Sequence, residues 1–190
     1  MKHSVLKVIV GVLLANNVGA QEPDWKGYAE VLKSVKSGEK NGTPLALVDY
    51  ATLKQSGLVE KVYRQISTYP VTSLKGREET LAFYINTYNI LALKTVVDHW
   101  PLESIKDVGS FFKPVWGRDA GTIGGNTVSL DDIENNKIRP MGEPRIHLAI
   151  VCASVSCPDL RSEPYTATTL NKQLDEQANT FLRNDKKAYE

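Results

Sequence analysis

Apolar positions follow different periods along the chain, and the periods predict its elements. The densest pattern lies between Arg77 and Trp100, where Leu81-Ala82-Phe83-Tyr84-Ile85-Asn86-Thr87-Tyr88-Asn89-Ile90-Leu91-Ala92-Leu93 is apolar nearly all the way round. A helix that is hydrophobic on every side is a buried one, and Pro101 ends it. Trp25 to Lys40 carries Tyr28, Val31, Leu32 and Val35 at helical spacing, which predicts one amphipathic helix that breaks at Asn41-Gly42-Thr43-Pro44. Leu45 to Leu53 is a short apolar stretch expected to be extended or irregular. Gly57 to Tyr69, with Leu58, Val59, Val62, Tyr63 and Ile66, predicts a second helix before Pro70.

Beyond Pro101 the pattern shortens. Phe111, Phe112, Val115 and Trp116 supply strand-forming side chains, and Thr122 to Val128 places Gly124-Gly125 between two short arms, as in a hairpin. Ser129-Leu130-Asp131-Asp132 opens a helix through Ile138, with Ser129 as its N-cap and the two aspartates at its positive end. The compact run Arg145 to Val151 reads as a buried strand. Leu170, Leu174, Ala178 and Leu182 define a last helical face within Thr168 to Arg183. Neither a repeat nor an interdomain linker interrupts the chain. The predicted architecture is a mainly helical α+β single domain with a small antiparallel sheet.

The first twenty residues change the compartment. Lys2 and Lys7 lie ahead of and inside the apolar run Val5 to Leu14, and Val18-Gly19-Ala20 follows. That is the pattern of a secretory signal peptide, with cleavage expected before Gln21. The run is too short for a membrane span of about 20 residues, and no cysteine near the cleavage point invites lipidation. The expected product is exported, periplasmic or secreted, and not inserted in a membrane after cleavage. Residues 21–190 then form the single globular domain.

Charge adds little. The chain carries 23 basic and 22 acidic residues, and removal of Lys2 and Lys7 leaves it near neutral. Nucleic acid and anionic membranes therefore have no electrostatic case as partners. Cys152 and Cys157 are the full complement of cysteines. In an oxidising compartment they form first a potential disulfide and only then a functional pair.

Only His99 and His147 remain as imidazoles after residue 20. His99, at a helix end beside Trp100-Pro101, is expected to interact with the last carbonyls. His147 lies inside the apolar run, five residues before Cys152, where it needs a polar partner. A cysteine and a histidine within reach of each other are the minimum for thiol nucleophilic catalysis, because the histidine stabilises the thiolate. Contact requires the strand to end before Cys152, and Ala153-Ser154-Val155-Ser156-Cys157-Pro158 is such an ending. Its amides are also candidates for an anion nest or oxyanion hole. Glu134 is the candidate orienter of His147. Asn86 and Asn89 lie three apart on one helix face and, being buried, must be paired; they either fix loop backbone, orient His147 or bind substrate. His147, Cys152 and Cys157 lack the paired spacings of a zinc site, and no metal or cofactor is expected.

Three of these segments together resemble domain-of-unknown-function family 547. They are Leu81 to Asn89, Ser129-Leu130-Asp131-Asp132-Ile133-Glu134, and Arg145-Ile146-His147 running into Cys152-Ala153-Ser154-Val155-Ser156-Cys157-Pro158. The family pattern has a Phe-Trp-Ile-Asn-x-Tyr-Asn core, and Tyr84 stands where it has Trp. The resemblance runs from about Val48 to Leu182. It implies that Asn86, Asn89, Glu134, His147 and Cys152 share one site, with Cys157 supporting. The leading expectation is an exported thiol hydrolase or acyl transferase acting on an amide or ester of a peptide, protein or small molecule. Cys152 would be its nucleophile, His147 its base and Glu134 the orienter, with Asn86, Asn89, Ser154, Ser156 and Cys157 binding substrate or supporting. The alternative is a non-catalytic binding or assembly domain with a Cys152–Cys157 disulfide.

Overall fold

A computed structural model describes residues 22–188; the expected signal peptide lies outside them. The order of elements is α1 (Lys26–Leu32), β1 (Val35–Lys40), β2 (Thr43–Val48), α2 (Tyr50–Ser56), α3 (Leu58–Ser67), α4 (Gly76–His99), β3 (Asp119–Ile123), β4 (Asn126–Ser129), α5 (Leu170–Leu182) and α6 (Asp185–Ala188). Short 3-10 turns and one π-helix, Asp132–Ile138, link them. The domain is mainly helical α+β, with two separate two-stranded antiparallel sheets among the described residues.

The central element is α4. Fifteen of its residues, from Leu81 to Val97, are buried, as a helix apolar on all sides requires. It is flanked by α2, α3, the β3 strand and the π-helix. One of the strands approaches it closely at Gly121, where a Cβ would lie 2.8 Å from both Leu91 and Tyr63. At its C-terminus His99 Nδ1 is 2.8 Å from the Thr95 carbonyl oxygen, the helix-end role expected of it.

Each hairpin turns on two residues of positive φ, Asn41-Gly42 and Gly124-Gly125, the conformation that two-residue hairpin loops demand. The second turn also donates backbone amides from Gly124 and Gly125 to the Ile66 and Ser67 carbonyls, capping the end of α3. The first corrects the sequence reading. The predicted helix over Trp25–Lys40 stops at Leu32, and Val35–Lys40 is a strand paired with Thr43–Val48. Asn41-Gly42, read as a helix break, is the hairpin turn. Leu45–Leu53 divides between β2 and α2.

Three further segments differ from their predictions. Phe111 and Phe112 form no strand; they are 95% and 94% exposed on a turn closed by Ser110 and Lys113. The helix after β4 begins as expected, Ser129 Oγ accepting from the Asp132 amide at 3.0 Å while Asp132 Oδ2 accepts from the Ser129 amide at 3.0 Å. It then widens into the π-helix. Arg145–Val151 is not a strand: Pro144–Leu148 is a 3-10 helix, since an apolar run this short fits either geometry and Pro144 pre-sets the first turn. Arg145 ties it to α5, bonding Glu143 through Nε and Nη2 at 2.7 Å and Asp175 through Nη1 at 2.6 Å. The buried face of α5 is Leu170, Gln173, Leu174 and Gln177, and Leu182 is exposed.

Candidate functional site

Asn86 and Asn89 are completely enclosed on α4, and both amides are committed to the chain's own backbone. Asn86 Nδ2 donates to the Tyr165 carbonyl at 2.7 Å and its Oδ1 accepts from the Tyr165 amide at 2.9 Å. Asn89 Nδ2 donates to the Ala149 carbonyl and its Oδ1 accepts from the Val151 amide, each at 3.0 Å. A side-chain amide presents one donor and one acceptor like a peptide unit, so the helix pairs with two loops as a neighbouring strand would. Of the readings open to these residues, loop fixation is the one the geometry shows.

The second clamp delivers the chain to Cys152. The backbone then turns through Ala153 at a φ of +53°, and Cys152 is joined to Cys157 in a disulfide with a Cα–Cα distance of 6.1 Å. Inside this six-residue ring the Cys157 amide donates to the Ser154 carbonyl at 3.1 Å, and the exposed Ser154 and Ser156 hydroxyls are 3.4 Å apart. Lys187 of α6, almost wholly buried, anchors the far end. Its Nζ donates to the Cys157 carbonyl at 3.1 Å and pairs with Asp159 at 2.6 Å. A thiolate is the nucleophilic form of cysteine; here the Cys152 sulfur is bonded to Cys157 instead.

His147 stands on the 3-10 turn with its side chain 49% exposed, so the buried imidazole expected from a strand does not occur. Its Nδ1 is 3.8 Å from Glu134 Oε1, which brings base and proposed orienter together. Among the described residues no hydrogen bond joins His147 to Cys152. Glu134 has a stronger partner in Arg139, whose Nη2 donates to Oε1 at 2.9 Å and Nε at 3.2 Å. A π-helix aligns residues five apart, and this is how Arg139 reaches Glu134. Tyr88, between the two asparagines, is 4% exposed. Burial, with the nearby charges of Glu134 and Asp131, pushes its phenol well above the ordinary tyrosine range. The sequence does not single out Arg139 or Tyr88, although Tyr88 lies inside the Asn86 to Asn89 motif.

An enclosed concavity lies elsewhere. A cleft of about 170 Å³ opens between β2 and the disulfide loop. Leu45 to Val48 and Lys40 form one wall, Ala153, Ser154, Val155, Pro158 and Asp159 the other, and Ala92 and Leu93 of α4 the floor. Tyr50, at its edge, has its phenol pushed up to about 12 by burial. Neither Cys152, His147 nor Glu134 lines this space. Among the described residues no cluster of three or more ligating side chains could hold a metal, and no helix is long and apolar enough to cross a membrane.

A model of the family described as protein of unknown function, DUF547, matches residues 71–182. The chain belongs to DUF547. No curated protein and no solved structure matches it. The DUF547 region contains both asparagine clamps, the Glu134 to His147 patch and the whole disulfide ring. It begins after α3, later than the Val48 from which the motif resemblance is traced. The cleft therefore has one wall and its floor inside the DUF547 region, and its β2 wall outside it.

Proposed function

We propose that this DUF547 protein is exported and acts as a non-catalytic binding domain, with the cleft between β2 and the disulfide loop as its ligand site. The observation that carries this reading is the Cys152–Cys157 bond, which closes the loop into a wall of the cleft and leaves Cys152 no thiol. A closed six-residue ring has little freedom to lose on binding, and such pre-ordering favours affinity.

One observation favours a second reading, a thiol hydrolase or acyl transferase whose nucleophile is masked by the disulfide: the 3.8 Å approach of His147 to Glu134. Reduction by a dithiol, itself oxidised to a disulfide, would free Cys152. Its thiol would pass a proton to His147 and attack an amide or ester carbonyl, and the amine or alcohol would leave with that proton. Water or an acceptor amine or alcohol would then break the thioester and restore the thiol.

Thiol titration of denatured, unreduced protein should find none. After reduction by a dithiol, an amide-based or acyl electrophilic probe should label Cys152 and Cys157 slowly and equally in wild type and in His147→Ala. Rapid labelling confined to Cys152 and lost in His147→Ala would replace the binding reading with the catalytic one.

A further inference from the structure

A second hollow, apart from the cleft and independent of the reading given to it, lies where the start of the described chain meets the segment after Pro164. It measures about 930 Å³, is open to solvent, and is lined by Glu22 to Lys26, by Thr166 to Thr168 and by Glu79 in the first turn of α4. Backbone amides hold both glutamates in place. Glu22 Oε1 accepts from the Ala167 amide at 2.5 Å, and Glu79 Oε2 accepts from the Lys75 amide at 3.0 Å. Each carboxylate is thus fixed through one oxygen and keeps the other. Glu79 Oε1 is buried with no hydrogen-bond partner, and Glu22 Oε2 has none among the described residues. Neither acid forms an ion pair among those residues. Burial, with the charge of Glu79, pushes the Glu22 carboxyl above the ordinary glutamate range despite the Ala167 hydrogen bond. Lys26, the cation lining the hollow, is paired with Asp24 at 3.3 Å.

Trp25 supplies a third group. It is 7% exposed, packs on Tyr28 and Phe83 and lines the hollow, yet its indole Nε1 is buried without an acceptor. A buried indole N–H ordinarily finds a partner, and one left unpaired is costly. A water can bridge an orphaned donor to an orphaned acceptor, but it leaves two like charges uncompensated. What satisfies all three groups is a cationic donor with a neutral acceptor on the neighbouring carbon. The amino terminus of a polypeptide is that combination, an ammonium with three N–H donors followed by a carbonyl oxygen. A lysine side chain lacks the carbonyl. A free amino acid would turn its carboxylate toward Glu22 and Glu79 and be repelled.

We propose that this hollow binds the amino terminus of a polypeptide, its ammonium between the free oxygens of Glu22 and Glu79 and its first carbonyl oxygen on the Trp25 indole N–H. Cleavage before Gln21 would create such a terminus one residue from Glu22, so the chain's own ammonium is a second source of the same chemistry.

The probe is dialanine amide, compared with its N-acetyl form, with propylamine, which has no carbonyl, and with free alanine. Each is titrated into isotope-labelled residues 21–190, a span that includes every described residue, and into the same span behind a short glycine-serine extension that moves its own terminus away. Dialanine amide should shift the Trp25 indole and Ala167 amide resonances of the extended protein. Acetylation should remove the shifts, and propylamine and free alanine should each bind about tenfold more weakly. Glu79→Gln should weaken dialanine amide about tenfold. Trp25→Phe, followed at Ala167, should bring dialanine amide and propylamine to equal affinity; Glu79→Gln, which changes almost no volume, carries the test if that variant does not fold. Shifts in both proteins assign the hollow to a partner's terminus, and shifts in the extended protein alone assign it to the chain's own. Equal shifts from the acetylated peptide, unchanged binding in Glu79→Gln, or no shift from dialanine amide in the extended protein overturns the proposal. So does a preference for dialanine amide over propylamine that survives Trp25→Phe.

Discussion

The motif residues of this domain fall into two regions with opposite physics. On α4, Asn86 and Asn89 are enclosed, and their amides bond the backbone of Tyr165, Ala149 and Val151. Two residues before the second clamp, His147 is half exposed and lies 3.8 Å from the partly buried Glu134, with Arg139 competing for the acid. Both regions lie in the DUF547 match. A buried amide paired with backbone holds two loops to the helix, and a half-exposed histidine is expected to stabilise little.

The contrast is sharpest in stability. Asn86→Ala leaves a buried amide and a buried carbonyl of Tyr165 unpaired, each costing roughly 1–3 kcal/mol, so a total loss of about 2–6 kcal/mol is expected from denaturant unfolding. Asn89→Ala should lose a similar amount. A loss below about 1 kcal/mol in both would return the asparagines to the ligand-binding role.

An intermediate effect is expected at Glu143. Its carboxyl is held below the ordinary glutamate range, chiefly by its hydrogen bonds to Arg145. A lowered folded-state pKa means stability present above the unfolded value, near 4.3, and lost as pH falls through the lower folded value. Glu143→Gln should cost about 1–3 kcal/mol at pH 7 and flatten the acid limb of a stability profile below about pH 4. An unchanged acid limb would show that the Arg145 bridge to α5 does not couple to folding.

The smallest effect belongs to the surface patch. His147→Ala should change stability by less than about 0.5 kcal/mol in thermal or denaturant unfolding. A cost above about 1.5 kcal/mol would make His147 part of the framework and erase the distinction drawn here.

How far the sequence could be read follows the same division. The 24-residue α4, the Gly124-Gly125 hairpin and the Ser129 cap were legible because continuous burial, positive φ and capping each have a local signature. The need of Asn86 and Asn89 for partners was legible too, although which loops supply them is set by residues 60 to 79 positions away. The Val35–Lys40 strand was not, because its side chains are mostly polar and its pairing is decided by β2. Arg145 to Val151 misled for the opposite reason, being apolar enough for either geometry. Glu134 reaching Arg139 depends on a π-helix, for which no residue pattern was read.

The asparagine clamps also bear on the order of events as the chain folds. Each joins α4 to a segment 60 to 79 residues further along, and closing loops of that length has an entropic cost that local helix formation does not. Asn89 fixes the stretch that leads into Cys152 by its bonds to Ala149 and Val151, beside the apolar packing of Ile150 and Val151 in the core. The disulfide spans only five positions and can close at any time, but its ring acquires a fixed place beside β2 when that long-range bond forms. The cleft therefore depends on a contact of high sequence separation, the Val151 amide bonding to Asn89, and not on the short disulfide ring alone.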